Sequence, residues 1–387
     1  HAQEYIRHYL DGSPIPGIKW EYEMIQQILP AINVDMLNQI AQQLVTDHNL
    51  IISFQAPEDE NVVLPTEAEA IEMLAAVKNE AIEAPVEEEI RTTLVEDAPK
   101  AGKIRKTAYN EILGTTEWTL SNGVRVIVKP TEFKQDEILF YATSLGGYSQ
   151  VKTEDLPSAL LATDVVELAG LADMNVTDLQ KALTGKRVSL SPSIGGNSES
   201  LSGSSTVKDL ETLLQLNYLY FTAPRRDEES YQTLMSILES QLANRDKNPK
   251  VAFNDSIQMM TSNNSERTVI FTKELLEKVS LDKALEVYKA RFANPADFTF
   301  FFVGNVNPED STFKAQVCQW LGGLKTNKKK EKVVDHQVRV PLGKQQNYFT
   351  QKMEIKTASN RIQYTSYNMP YTLANDLNME MIGRILS

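Results

Sequence analysis

The chain has 387 residues, of which 42% are hydrophobic, and this is enough for two globular units. Its formal charge of −13 is concentrated between Pro57 and Pro99, where 13 acidic residues stand against two basic ones. An acidic chain repels phosphate backbones, which argues against nucleic acid as a partner. No apolar run approaches the length that spans a bilayer, about 20 residues, so no membrane-spanning segment is expected.

The first segment, residues 1–60, is predicted to contain helices followed by a strand. Asp35 is expected to cap a helix over Met36–Leu44, in which apolar residues repeat at helical spacing. Leu50–Phe54 is typical of a strand. The sequence begins inside one helical pattern and ends inside another, from which we expect a piece of a longer protein.

Residues 61–110 differ in composition and are expected to form an acidic helical linker between domains. Thr66 and Glu69 have the spacing of a capping box, which predicts a helix that starts after Thr66. More acidic residues follow, and their mutual repulsion favours an extended, solvated connector.

Residues 111–330 carry the pattern of one complete α+β domain. Asn122-Gly123 lies between two alternating apolar runs, which predicts a hairpin with a type I′ turn. The other expected elements are strands over Ile138–Leu145, Val188–Ser193, Ser198–Ser204 and Phe298–Val303, and helices over Ser158–Leu168, Asn175–Leu183, Val207–Phe221, Asp227–Arg245, Asp282–Phe292 and Ser311–Leu321. This order predicts helices packed on a mostly antiparallel sheet.

Residues 331–387 are expected to start a further domain that is truncated. Gln351–Lys356 and Gln363–Tyr367 are predicted to pair as strands, and a helix is expected to begin near Thr372. The lysine run at Lys328–Lys330 lies between structured stretches, so we interpret it as a solvated linker and not as a binding patch.

Two parts of the chain share one order of features. Asp35 leads through a helix and a strand to Pro57-Glu58-Asp59, and Asp282 leads in the same way to Pro308-Glu309-Asp310. A period of about 250 residues is too long for a solenoid and favours a duplicated domain. Chance similarity between two helix–strand units is the alternative.

Three passages, taken in order and at their spacing, resemble the insulinase/pitrilysin family of zinc metallopeptidases. They are Trp118–Pro130, Phe140–Tyr148 with its paired glycines, and Ala290–Asn305. The resemblance implies the fold of that family, α+β with duplicated domains, and four domains in a full-length protein. On this basis residues 1–60 end the second domain, 61–110 are the linker, 111–330 are the third domain and 331–387 start the fourth.

The resemblance also implies where zinc would bind. The family motif, H-x-x-E-H on one helix, binds zinc through two histidines and activates water through the glutamate. It would lie in the first domain, upstream of this chain. The matching positions of the third domain, after the glycine-containing strand, are Asp164, Glu167 and Leu168. Both histidines are absent, so no metal ligand and no catalytic residue is expected in this chain; alternatively, Glu167 is an ordinary helix carboxylate.

Other candidate site residues are few. Among the four histidines, His1, His8, His48 and His336, no two lie at i and i+4, which argues against a second metal site. The serine-rich strands between Ser189 and Ser205 are one candidate for a polar wall of a substrate chamber. The substrate-binding arginine and tyrosine that are typical of the family would fall beyond Ser387, so the substrate-binding residues here are unknown.

The resemblance implies that the parent protein is a zinc endopeptidase, a hydrolase that encloses and degrades peptides. This chain would be its inactive part, which closes the chamber and binds the peptide substrate, with zinc held in the missing N-terminal catalytic half. Two alternatives remain open: a structural, partner-stabilising subunit without peptidase activity, and an unrelated acidic scaffold. Because many bacterial relatives are exported, the resemblance implies a periplasmic or exported protein.

Overall fold

A computed structural model describes residues 2–44, 49–56, 62–81, 91, 93–243, 245, 248–327, 330–350, 358–365 and 369–386. The chain divides into two units, residues 1–86 and 87–387. Over the ranges described, no helix combines the length and the apolar character that a membrane crossing requires.

The first unit is helical in the parts described. Its helices are α1 Ala2–Asp11, α2 Ile18–Ile28, α3 Val34–Leu44 and α4 Glu67–Asn79. Asn33 accepts a hydrogen bond from the Met36 backbone N–H at 3.0 Å and so caps α3. The predicted cap at Asp35 is therefore wrong, because that residue lies inside the first turn. The predicted capping box at Thr66 is confirmed, with both of its reciprocal hydrogen bonds present.

The strand predicted at Leu50–Phe54 is not formed. Residues 49–56 have no ladder partner among the described residues, and an extended segment without a partner gains none of the pairing that stabilises a strand. Pro57–Asp59, the end of the predicted repeat, lies outside the described residues. The duplication therefore stays a prediction.

The second unit is built on a sheet of seven strands. The strands are β1 Ile104–Asn110, β2 Thr115–Leu120, β3 Arg125–Pro130, β4 Ile138–Leu145, β5 Val188–Ile194, β6 Ser198–Ser205 and β7 Thr299–Gly304. Their order in the sheet is β1-β2-β3-β7-β4-β6-β5, and only β3 and β7 pair in parallel. The predicted mostly antiparallel sheet is confirmed. Strand β1 lies within the stretch interpreted as linker, while the division into four segments stays a prediction.

The hairpin between β2 and β3 is present, but its turn is not type I′. The Leu120 N–H donates to the Val124 carbonyl, which closes a loop of three residues. Gly123 alone has a positive φ, 91°, whereas a type I′ turn also needs a positive φ at Asn122. The Asn122 side chain instead donates to the carbonyls of Leu321 and Leu324, which fixes it in a different conformation.

The helices of this unit agree in most places with the predicted ones. They are α5 Leu156–Leu160, α6 Ala162–Ala169, α7 Val176–Ala182, α8 Leu210–Thr222, α9 Glu228–Ala243, α10 Pro249–Thr261, α11 Lys273–Leu276, α12 Leu281–Arg291, α13 Ser311–Trp320 and α14 Leu373–Leu386. The single helix predicted over Ser158–Leu168 is divided at Leu161, whose φ and ψ are −103° and 4°. Helix α10 was missed, although Asn248 as cap before a proline is a start signal.

The core lies between the helices and one face of the sheet. Alternate residues of the central strands point into it, and Phe140, Phe300 and Phe302 are at most 2% exposed. The rings of Phe140 and Phe302 meet edge to face at 5.2 Å. The opposite face exposes Leu139 and Tyr141. This one-sided burial explains the alternating pattern of the sequence.

The described residues between 330 and the start of α14 contain no regular secondary structure. Residues 330–350 contain neither helix nor strand. The first of the two strands predicted here, Gln351–Lys356, lies outside the described residues. The described part of the second, residues 363–365, is not in a strand. Helix α14 begins at Leu373, next to the predicted start at Thr372.

Candidate functional site

A glycine turn after β4 leads to the residues that the sequence singled out. β4 ends at Leu145, and the chain turns through Gly146 and Gly147. Gly147 has a φ of 55°, and a Cβ atom there would lie 2.2 Å from the carbonyl oxygen of Gly195. Only glycine permits this approach of two backbone segments, so the turn after β4 depends on it.

Asp164, Glu167 and Leu168 lie together on α6, at a spacing that puts them on one face of the helix. Asp164 is exposed as a whole residue, Glu167 is half-buried, and Leu168 packs against the hydrophobic core. Burial of the carboxyl group raises the pKa of Asp164. Burial also raises the pKa of Glu167, the Asp164 charge adds to this, and the Ser191 hydroxyl of β5 offsets part of it.

Three tyrosines surround these carboxyl groups. Burial, with a contribution from the Asp164 charge, raises the pKa of Tyr148 to about 12. Burial and the Glu167 charge also raise the pKa of Tyr220 and of Tyr288, whose hydroxyl donates to the Tyr220 carbonyl at 3.2 Å. These phenols stay protonated at neutral pH. They can donate and accept hydrogen bonds here but supply no phenolate base or nucleophile.

This face of α6 does not fit a zinc ion. Zinc takes nitrogen, sulfur or oxygen ligands, three or four from the protein. The helix offers two carboxyl groups and a leucine, which cannot ligate. The described residues contain no group of three or more His, Cys, Asp or Glu side chains arranged to hold a metal. The prediction that Asp164, Glu167 and Leu168 occupy the positions of the family's zinc motif stays a prediction.

Each of the two histidines that the structure describes lies within hydrogen-bond distance of a backbone carbonyl. His8 Nδ1 lies 2.7 Å from the Ser13 carbonyl, and His336 Nε2 lies 2.8 Å from the Ser149 carbonyl. His1 and His48 lie outside the described residues. From the predicted lysine linker, Lys330 is exposed, in agreement with a solvated stretch.

The serine-rich strands β5 and β6 form one end of the sheet, and β5 is an edge strand. Hydrogen bonds at both ends of the ladder involve Arg187 and Gly195, so alternation directs the backbone groups of Pro192 to the free edge. Proline has no N–H, which explains why it is tolerated there and removes one donor from this edge. An added strand would find an incomplete row of partners along β5.

A buried ionic cluster beside the glycine turn was not predicted from the sequence. Glu199 is 1% exposed, and its carboxylate accepts the Gly147 N–H at 2.7 Å. Arg291 binds Glu331 with two hydrogen bonds, of 2.5 and 3.3 Å. A Cβ atom on Gly146 would lie 2.7 Å from Arg291 Nη1, so the glycine gives the guanidinium room. These residues are far apart in sequence, and no local motif signals them.

Glu199→Gln is expected to become more stable relative to the wild type as pH rises. Burial, the largest cause, raises the pKa of Glu199 above its ordinary value of 4.5, although the Gly147 N–H, the Ser144 hydroxyl and Arg291 oppose it. The native protein therefore holds this proton more tightly than the unfolded chain, and that stabilisation is lost as pH rises through the native pKa. Urea unfolding at pH values from 4.5 to 7.5 measures the difference.

Glutamine keeps an acceptor for the Gly147 N–H, so the variant is expected to fold. An exposed glutamate, Glu132, replaced by glutamine is the matched control. If the free energies of unfolding of Glu199→Gln and the wild type differ by the same amount at every pH, the pKa of Glu199 is not raised in the native protein.

The chain is similar to zinc proteases in sequence. It is 27% identical over 323 residues to the zinc protease PQQL-like of Arabidopsis thaliana, which covers 83% of this chain and 31% of that protein. It is 24% identical over 210 residues to the probable zinc protease PqqL of Escherichia coli (strain K12), which covers 54% of this chain and 22% of that protein. The chain therefore spans about a third or less of the length of these relatives. No family model matches it.

Solved structures share the fold. The periplasmic protease PqqL from Escherichia coli superposes with a TM-score of 0.57 at 21% identity, over 87% of this chain and 37% of that chain. A mutant of the ferredoxin protease FusC, in complex with Arabidopsis ferredoxin, gives a TM-score of 0.53 at 20% identity over the same shares, 87% and 37%. The predicted fold class is confirmed, and the alternative of an unrelated acidic scaffold is wrong. The sequence similarity to zinc proteases, together with the shared fold, supports the predicted resemblance to the insulinase/pitrilysin family.

Proposed function

We propose that this chain is a non-catalytic part of a zinc-dependent endopeptidase that encloses and degrades peptides. In this proposal it closes the chamber and contributes to substrate binding. The similarity to zinc proteases over 83% of the chain supports the peptidase parent. The non-catalytic role is supported by the α6 face, which carries Asp164, Glu167 and Leu168 and no histidine. We assign Asp164 and Leu168 to the two positions at which the family motif has its zinc-binding histidines.

In the proposed parent, zinc is held by an H-x-x-E-H motif upstream of this chain, where it would polarise a peptide carbonyl and activate water. The present chain supplies none of those ligands. Its partners are the N-terminal catalytic half and the peptide substrate. The exposed hydroxyls of Ser189, Ser191 and Ser193 on β5 supply a polar wall that suits contact with peptide groups.

Elemental analysis combined with peptide cleavage tests this proposal. We expect zinc in the full-length protein and none in the 387-residue chain. A chelator is expected to abolish cleavage of a fluorogenic peptide by the full-length protein, and added zinc to restore it. Zinc-dependent cleavage by the 387-residue chain alone would overturn the proposal.

A second candidate is a structural, partner-stabilising subunit without peptidase activity. α6 contains no histidine, which agrees with this candidate if the upstream half also lacks the zinc motif. Full-length protein that is folded, binds no zinc and cleaves no peptide would select this candidate.

We also propose a periplasmic or exported location. The support is the similarity in fold to the periplasmic protease PqqL from Escherichia coli. Fractionation of cells that produce the full-length protein tests it, and recovery in the cytoplasmic fraction alone would refute it.

A further inference from the structure

A groove of about 670 Å³ lies beside the glycine turn, and Tyr148 is among its lining residues. Its walls come from the turn, from the end of α10 with the loop after it, and from residues 333–339. Two bonds hold the last wall in place: the Val334 N–H donates to Ser149 Oγ at 3.1 Å, and His336 Nε2 lies 2.8 Å from the Ser149 carbonyl. Hydrogen bonds therefore fix this wall of the groove. The volume of the groove is within the range of known ligand-binding pockets.

The charges that line the groove do not balance. Among the described lining residues, Asp335 is the one carboxylate, and it bonds to Arg339 with both oxygens, at 2.9 and 2.5 Å. Arg267 is the other guanidinium of the lining, and the described residues place no carboxylate against it. Its pKa is lowered by burial with no compensating acid. The groove therefore carries a surplus of positive charge.

Arg267 has two N–H donors to spare. Its Nη1 donates to the Val151 carbonyl at 3.0 Å and to Thr153 Oγ1 at 3.1 Å, and its Nη2 donates to the Tyr148 carbonyl at 2.7 Å. A guanidinium has five N–H groups, so the N–H of Nε and one of Nη2 have no acceptor among the described residues. The Nε and Nη2 atoms lie on one edge of the guanidinium, and their spacing matches the two oxygens of a carboxylate.

We propose that this groove binds a peptide carboxylate through the Nε–Nη2 edge of Arg267. The carboxylate belongs either to the C-terminus of a peptide or to an acidic side chain. The choice of a peptide rests on the proposed function, while the carboxylate follows from the guanidinium itself. The side chains of Asn197, Gln258, Thr261 and Thr268 also line the groove and can bond the backbone of such a peptide.

Four fluorescent peptides of one core sequence test the proposal on the 387-residue chain by anisotropy at low salt. One has a free C-terminal carboxylate, one is amidated, and two are amidated with an internal glutamate or an internal glutamine. We expect the peptide with the preferred carboxylate to bind about 10-fold more tightly than its neutral counterpart, and Arg267→Gln to remove the difference. The stronger of the two carboxylate peptides identifies the source.

Because Arg267 also bonds backbone carbonyls, Arg267→Gln is expected to lower the stability of the chain, and a second variant avoids this. Val338 lines the groove and is exposed, so Val338→Trp fills the groove without touching the bonds of Arg267. Val207, exposed and outside the groove lining, is the matched control as Val207→Trp. Equal binding of all four peptides, or equal binding by the two tryptophan variants, would overturn the proposal. The assay measures binding and not cleavage, so its result can be interpreted even if the proposed peptidase function is wrong.

Discussion

In the proposed parent peptidase, Glu167→Gln is expected to leave peptide cleavage within about two-fold of the wild type. The same replacement of the glutamate in the proposed upstream H-x-x-E-H motif is expected to lower kcat by about 100- to 10,000-fold. The difference follows from the surroundings of the two carboxylates. A general base in this family acts on metal-bound water. Glu167 has Asp164 and Leu168 beside it on α6, and these two residues do not form a zinc site.

Glu167→Gln is also expected to stabilise the chain slightly at neutral pH, by less than about 1 kcal/mol, because the group is only half-buried. Burial and the Asp164 charge raise the pKa of Glu167, so its ionised form is disfavoured in the native state and the neutral amide avoids that cost. Urea unfolding of the same preparation measures this gain and checks the fold. A folded Glu167→Gln protein with a tenfold loss of kcat would contradict the inactive assignment of α6.

The parts of the fold that the sequence predicted well are those with local signals. Strand β4 was predicted with its observed limits, Ile138–Leu145, because it alternates between core and solvent over its whole length. Thr66 and Glu69 identified the start of α4, because both partners of that cap lie within one turn. Such features depend on neighbours in the chain, which a single sequence displays.

Features that depend on contacts between residues far apart in the chain could not be predicted from the sequence. The turn at Asn122 departs from type I′ because its side chain bonds to Leu321 and Leu324, about 200 residues away. Leu50–Phe54 has the residues of a strand, but pairing decides whether a strand forms, and pairing is not local. The groove at Arg267 was missed for the same reason, since the carbonyls that orient the guanidinium lie more than 100 residues upstream.

Arg291→Ala is expected to lower the free energy of unfolding of the large unit by about 3–5 kcal/mol. The side chains of Arg291 and Glu331 are 7% and 19% exposed, so the pair is largely removed from water. Removal of the guanidinium leaves Glu331 without its partner and leaves the buried Glu199 without the nearby positive charge. An unpaired buried carboxylate costs far more than the net gain of the pair that it came from. Urea unfolding at neutral pH measures the loss.

Arg226→Ala is the matched control, because Arg226 pairs with Asp282 and Glu228 while 51% of its side chain is exposed. Its loss is expected to cost much less than the loss of Arg291, because water screens an exposed ion pair. The double variant Arg291→Met with Glu331→Leu removes both charges of the pair together and is expected to recover most of the stability, since no unpaired Glu331 remains. Equal losses for Arg291→Ala and Arg226→Ala would show that the buried cluster has no special energetic role. Recovery by the double variant would instead assign the cost to the carboxylate of Glu331 that Arg291→Ala leaves without its partner.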